Sequence, residues 1–125
     1  MKKALITGIG GFVGSHLTEL LLTKNISVYG FYHPSHPISN LDHLKDKINL
    51  IPLDIFKSRN VKNHLKAMKP DYIFHLAAIS SPGQSFQNSL QTLENNILGQ
   101  LNLLDSLLEL NSEAKILIIG SSEEY

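Results

Sequence analysis

Apolar residues along this chain come in short runs, separated by stretches in which they recur every three or four positions. The first run, Ala4-Leu5-Ile6, ends at Thr7, and glycines follow at once at positions 8, 10, 11 and 14. Beyond them Val13, Leu17, Leu20 and Leu21 have the spacing of one helical face, which predicts a helix over residues 12–23. Lys24-Asn25 stops it, since asparagine tolerates the left-handed position past a helix end. Residues 26–32 predict a second strand. Residues 33–47 form a loop with two prolines and one helical turn around Leu41 and Leu44. A third strand over 48–53 ends at Asp54. Ser58 then caps a helix whose apolar face is Val61, Leu65 and Met68, closed by Lys69-Pro70. A fourth strand over 72–76 runs into Ala77-Ala78.

A long helix over 85–110 carries the stripe Leu90, Leu93, Ile97, Leu101, Leu104 and Leu108, widened by Leu103 and Leu107. A helix apolar over so much of its girth is buried on more than one side. The sheet covers one side, and a second subunit is the expected cover for the other. A fifth strand spans 115–119. Five apolar runs alternating with helical patterns predict an α/β fold with a doubly wound parallel sheet, buried on both faces. Right-handed crossovers and a switch after the first strand give the strand order 3-2-1-4-5. The carboxyl ends of the strands then bring Thr7-Gly8, Tyr32-His33, Asp54-Ile55, Ala77-Ala78 and Ser121-Ser122 to one edge, where such sheets bind ligands.

The glycines are spaced Gly8-x-x-Gly11-x-x-Gly14, between a strand and a helix. A sharp turn, a ligand lying against backbone and a helix start packed close to a strand each leave no room for a Cβ. The helix beyond offers free N–H groups and the positive end of its dipole. This stretch therefore predicts a seat for nucleotide phosphates. A Walker-type phosphate loop is excluded, because no Gly-Lys-Ser/Thr follows.

Composition narrows the partners. The 125 residues are one domain by length, with 11 basic and 11 acidic side chains and no block of like charge. Neither a nucleic-acid surface nor a membrane surface is indicated. Without cysteine there are no disulfides, thiolate metal sites or thiol nucleophiles. His33 and His36, in H-P-S-H-P, lack a third ligand, so no metal is expected. No signal peptide and no apolar run long enough for a membrane span precede or interrupt these elements, which makes a cytoplasmic location the default expectation.

Several spaced motifs carry a family resemblance over all 125 residues. Thr7-Gly8-Ile9-Gly10-Gly11-Phe12-Val13-Gly14 matches T-G-x-x-G-F-x-G, Asp54-Ile55 matches an acidic-aliphatic pair, and His75-Leu76-Ala77-Ala78 matches H-L-A-A. Asn96 and Gly99 match N-x-x-G-T, with Gln100 in place of threonine. The chain thus resembles the extended short-chain dehydrogenase/reductases, the nucleotide-sugar epimerases, dehydratases and reductases. Gly120-Ser121-Ser122-Glu123-Glu124-Tyr125 looks most like the GDP-mannose 4,6-dehydratases and the GDP-4-dehydro-6-deoxymannose reductases.

The resemblance implies a Rossmann-like NAD(P)-binding domain. Thr7, Gly8, Gly10, Gly11, Phe12, Val13, Gly14, Tyr32, His33, Asp54, Ile55, Leu76, Ala77, Ala78 and Asn96 would line the cofactor, with Asp54-Ile55 at the adenine. Ser121 would hydrogen-bond the reacting sugar oxygen and Glu123 would shuttle a proton. Ser80, Ser85 and Ser122 would touch the substrate, a GDP-hexose for preference. The resemblance also implies a homodimer through the long helix. Neither an acid nor an arginine follows the second strand, and His33 can donate to a phosphate, so the cofactor reading leans to NADP over NAD. The family's Tyr-x-x-x-Lys lies beyond residue 125, so the chain reads as an inactive N-terminal fragment of a longer enzyme. Alternatives are a UDP- or dTDP-sugar epimerase or dehydratase, and a non-catalytic dinucleotide sensor of the same fold. His75 is expected to be a hydrogen-bonded core residue.

Overall fold

The computed structural model describes residues 1–55, 60–77 and 89–118. Five strands, β1 (Lys3–Thr7), β2 (Ser27–Tyr32), β3 (Asn49–Pro52), β4 (Tyr72–His75) and β5 (Lys115–Ile118), form one parallel sheet. Its order is β3-β2-β1-β4-β5, as the alternation of strand and helix patterns predicts. The helices are α1 (Phe12–Thr23), α2 (Val61–Met68) and α3 (Ser89–Glu109), with short 3-10 turns at Ser39–Leu41 and Lys45–Lys47. β3 tolerates Pro52 because it is an edge strand.

Alternation along the strands divides the core into two layers. Leu5, Phe31 and Ile73 face one way and pack with Val61, Leu65 and Met68 of α2 and Leu103 and Leu107 of α3. Ala4, Ile6 and Val28 face the other way and pack with Ile9, Leu21, Leu41, Leu44 and Ile48. Lys62 and Glu109 clip α2 to α3 at 2.8 Å.

Two helices turn differently from the simplest reading of their apolar positions. In α1 the side against the sheet is Gly14, Ser15, Thr18 and Leu21, whereas Val13 and Leu20 are more than half exposed. Thr18 can be buried because its hydroxyl donates to the Gly14 carbonyl at 2.7 Å. Small residues let α1 approach the sheet closely, and this requirement outweighs apolar periodicity. In α3 the sheet side is Gly99, Leu103 and Leu107. Leu90, Ile97, Leu101 and Leu108 point outward and are each about half exposed or more. Asn25 does take the left-handed conformation after α1, at φ 59°. Asn60 rather than Ser58 precedes α2, without a side-chain capping bond, and Ser58 itself lies outside the described residues.

Candidate cofactor seat

The carboxyl ends of the three central strands are level: Thr7 pairs in register with Phe31 on β2 and His75 on β4. β1 leaves the sheet through Gly8, at φ +70°, and the N–H groups of Gly8 and Ile9 both donate to the Phe31 carbonyl. Gly11 N–H donates to the Gly8 carbonyl at 3.2 Å, closing the turn, and Ser15 N–H returns to Gly11 at 3.0 Å, starting the helix.

Each glycine of the turn meets a different demand. A Cβ on Gly8 would stand 2.9 Å from the Ala77 nitrogen, and one on Gly14 would stand 2.7 Å from the Ile9 carbonyl oxygen. On Gly10 it would press on Ile38 and Pro37 of the loop after β2. On Gly11 it would meet only the Gly8 carbonyl, at an ordinary 3.5 Å. Gly11 is also the N-cap of α1 and supplies no side-chain cap, and the first turn holds no acidic residue. Among the described residues the first N–H groups of α1 therefore have no intrahelical or side-chain capping acceptor. This is a cradle for an anion, and it fits a pyrophosphate. Phe12 and Val13 beside it are apolar yet 74% and 56% exposed.

At the β2–β3 side, His33 and Asp54 converge, with Nε2 and Oδ2 3.4 Å apart. The fold thus brings a carboxylate from β3 to the end of β2, where the sequence alone has none. Tyr32 is half-buried and packs against the α1 layer of the core. Ile55 is only 4% exposed and belongs to the core, so what it offers a ligand is backbone, not side chain. Its carbonyl is already taken by the Asn102 amide at 2.9 Å, a tie from α3 that the apolar pattern does not reveal. At the β4 side, Leu76 and Ala77 pack against opposite layers of the core. Asn96 is half-buried on the same side of α3 as buried Gly99.

His75 is 6% exposed, and desolvation by burial lowers its pKa from the ordinary 6.5. Its Nδ1 lies 2.8 Å from the Thr7 hydroxyl. It is the hydrogen-bonded core residue expected. The rings of His33 and His36 lie 4.7 Å apart, and among the described residues no three metal-ligating side chains come together. Ala78, Ser80, Ser85, Ser121, Ser122 and Glu123 lie outside the described residues.

A parallel sheet of this order, with a glycine turn delivering an uncapped helix to its carboxyl edge, is a Rossmann-like fold of the kind that binds dinucleotides. More narrowly, residues 5–125 match the GDP-mannose 4,6 dehydratase family model, and the chain belongs to that family. It is 38% identical over 117 residues to a GDP-mannose 4,6-dehydratase, sdnI, of Sordaria araneosa, covering 92% of this chain and 22% of that protein. It is 30% identical over 132 residues to a UDP-N-acetyl-alpha-D-glucosaminuronate decarboxylase of Bacillus cytotoxicus, covering 99% of this chain and 38% of that one. Among solved structures, the UDP-glucose 4-epimerase of Thermus thermophilus in complex with NAD superposes with a TM-score of 0.77 at 27% identity, covering 89% of this chain and 35% of that one. The chain therefore spans well under half the length of these relatives. They are dehydratases, decarboxylases and epimerases, all enzymes. Among the described residues no helix is long and apolar enough to cross a membrane.

Proposed function

We propose that this chain is the cofactor-binding part of an NAD(P)-dependent nucleotide-sugar dehydratase or reductase that acts on a GDP-hexose. The observation that carries the reading is the room above Gly11. Among the described residues a Cβ there would meet only the Gly8 carbonyl, and the first turn of α1 beside it has no side-chain cap. The bound dinucleotide would supply hydride exchange with a sugar carbon. Thr7 and the glycines would seat its pyrophosphate, Asp54 and His33 would meet the adenosine end, and Ala77 would lie along it. In this reading Ser121 holds the reacting sugar oxygen, Glu123 moves the proton, and Ser80, Ser85 and Ser122 touch the substrate. The chain by itself is expected to turn over nothing. The test is to incubate the full-length protein with GDP-mannose and either dinucleotide and to look for a 4-keto sugar. Absence of product alongside turnover of a UDP-hexose would move the assignment to the UDP-sugar branch, which the decarboxylase relative favours.

Between the two cofactors, Asp54 tips the balance from NADP to NAD. Its carboxylate sits beside His33, where it can accept from a ribose hydroxyl but repels a 2′-phosphate. The NAD-bound relative points the same way. Two charges about 4 Å apart near a wet surface interact by roughly 1–4 kcal/mol. Asp54→Asn is therefore expected to shift the ratio of NADP to NAD affinity by about fivefold or more toward NADP. Calorimetric titration of both dinucleotides reads it, and an unchanged ratio would remove Asp54 from cofactor choice.

The outward row Leu90, Ile97, Leu101 and Leu108 supports a homodimer through α3. Sedimentation of the intact protein as a monomer at micromolar concentration would count against it. A cytoplasmic location is part of the same proposal.

A further inference from the structure

The Thr7 hydroxyl has three partners in the structure. Besides His75 Nδ1 at 2.8 Å, the backbone N–H groups of Leu76 and Ala77 each donate to it at 3.0 Å. A hydroxyl has one proton and two lone pairs. Two N–H groups fill the lone pairs, so the proton must go to the third partner, and Nδ1 must be an acceptor. With both N–H bonds to the hydroxyl kept, His75 is the neutral Nε2–H tautomer. The Ala77 nitrogen also lies only 2.9 Å from where a Cβ of Gly8 would stand. The hydroxyl therefore holds the end of β4 at closest approach to the turn that shapes the seat.

We infer that His75 is a positioning residue of the dinucleotide seat: as a neutral acceptor it leaves Thr7 free to bind Leu76 and Ala77, and its protonation undoes that clasp. The inference rests on the reading of the glycine turn as a cofactor seat. If Nδ1 gained a proton, the hydroxyl would face three N–H donors with two lone pairs, and its own proton would lose its acceptor. Leu76 has a second acceptor in the Thr7 carbonyl at 3.2 Å, so it is the N–H that yields its lone pair to Nδ1–H, and the buried hydroxyl proton is the group left without a partner. Burial disfavours the charged ring in the same direction.

Around His75 the described neighbours on the sheet carry apolar or hydroxyl side chains. On β1 and β2 its layer presents Leu5, Thr7 and Phe31, and on β5 its register partner is Ile118. On α3, Gly99 and Leu103 are buried and Asn96, Gln100 and Asn102 half-buried, while Glu94 and Asp105 are exposed. His64 of α2 is half-buried and stands edge-on to Phe31, its ring centroid 5.9 Å from that of Phe31.

The experiment is calorimetric titration of the full-length protein with NAD from about pH 7.5 to about pH 5, with circular dichroism at each pH to confirm folding. The wild type is expected to lose about tenfold in affinity toward the acid end, the worth of one buried hydrogen bond. His75→Asn keeps an acceptor at the Nδ1 position and cannot be protonated, so it should bind well with a flatter profile. His75→Leu should bind weakly at every pH. The same acid loss in wild type and His75→Asn would overturn the proposal, as would a ring-nitrogen NMR spectrum with the proton on Nδ1 at neutral pH. No binding by any folded form at any pH would instead sink the seat itself.

Discussion

Gly8→Ala is expected to destabilise the protein by about 2–5 kcal/mol and to abolish detectable dinucleotide binding. Two separate costs add. The residue sits at φ +70°, where an L side chain costs roughly 1–2 kcal/mol. Its Cβ would also stand 2.9 Å from the Ala77 nitrogen and 3.0 Å from its Cα, atoms of backbone that cannot swing aside. Overpacking of this kind costs about 1–3 kcal/mol. Gly11→Ala is the informative companion. Its backbone lies at φ −74° and the new methyl would touch only the Gly8 carbonyl, so stability should fall by no more than the loss of a glycine N-cap, about 1 kcal/mol. Affinity for NAD should nonetheless fall by about tenfold or more, because the methyl fills the space kept for the ligand. Urea melts and calorimetric titrations of the two variants separate these effects. A Gly11→Ala protein that binds normally would mean that the phosphates lie elsewhere.

The fold was legible because a buried parallel sheet writes itself as apolar runs of strand length, each followed by helical spacing. The runs at 4–6, 26–32, 48–53, 72–76 and 115–119 all became strands, with ends displaced by a residue or so. Strand order followed from handedness and a single switch. The glycine turn was legible for a related reason: its spacing records distances of closest approach, and a Cβ on Gly8 or Gly14 would stand within 3 Å of backbone. What the sequence withheld were pairings between distant positions. Nothing local joins His33 to Asp54, Asn102 to the Ile55 carbonyl, or Thr7 to His75, since each contact exists only once the strands lie side by side. The faces of α1 and α3 were hard to orient because both helices are apolar around most of their girth. Small residues, Gly14 and Thr18 in α1 and Gly99 in α3, choose the buried side instead, by how near they let the helix come.

The largest loss of stability without any contact to ligand is expected at Ile9, inside the glycine turn. Its side chain is fully buried, and it fills the space over Gly30 in the middle of β2. A Cβ on Gly30 would come within 2.3 Å of Ile9 Cδ1 and 2.8 Å of its Cβ. The turn is thus plugged into the sheet by one aliphatic side chain, and the strand glycine is the socket. Ile9→Ala empties the socket and should cost about 2–5 kcal/mol, a transfer term plus a cavity term. Gly30→Ala overfills it and should cost about 1–3 kcal/mol. The double variant places a methyl where the plug was, so the two losses should not add. A coupling of about 1–3 kcal/mol in favour of the pair is expected from a double-mutant cycle by urea denaturation. Strict additivity would mean that Ile9 and Gly30 do not share the space assigned to them, and that the turn is held to the sheet chiefly by the two N–H groups bound to the Phe31 carbonyl.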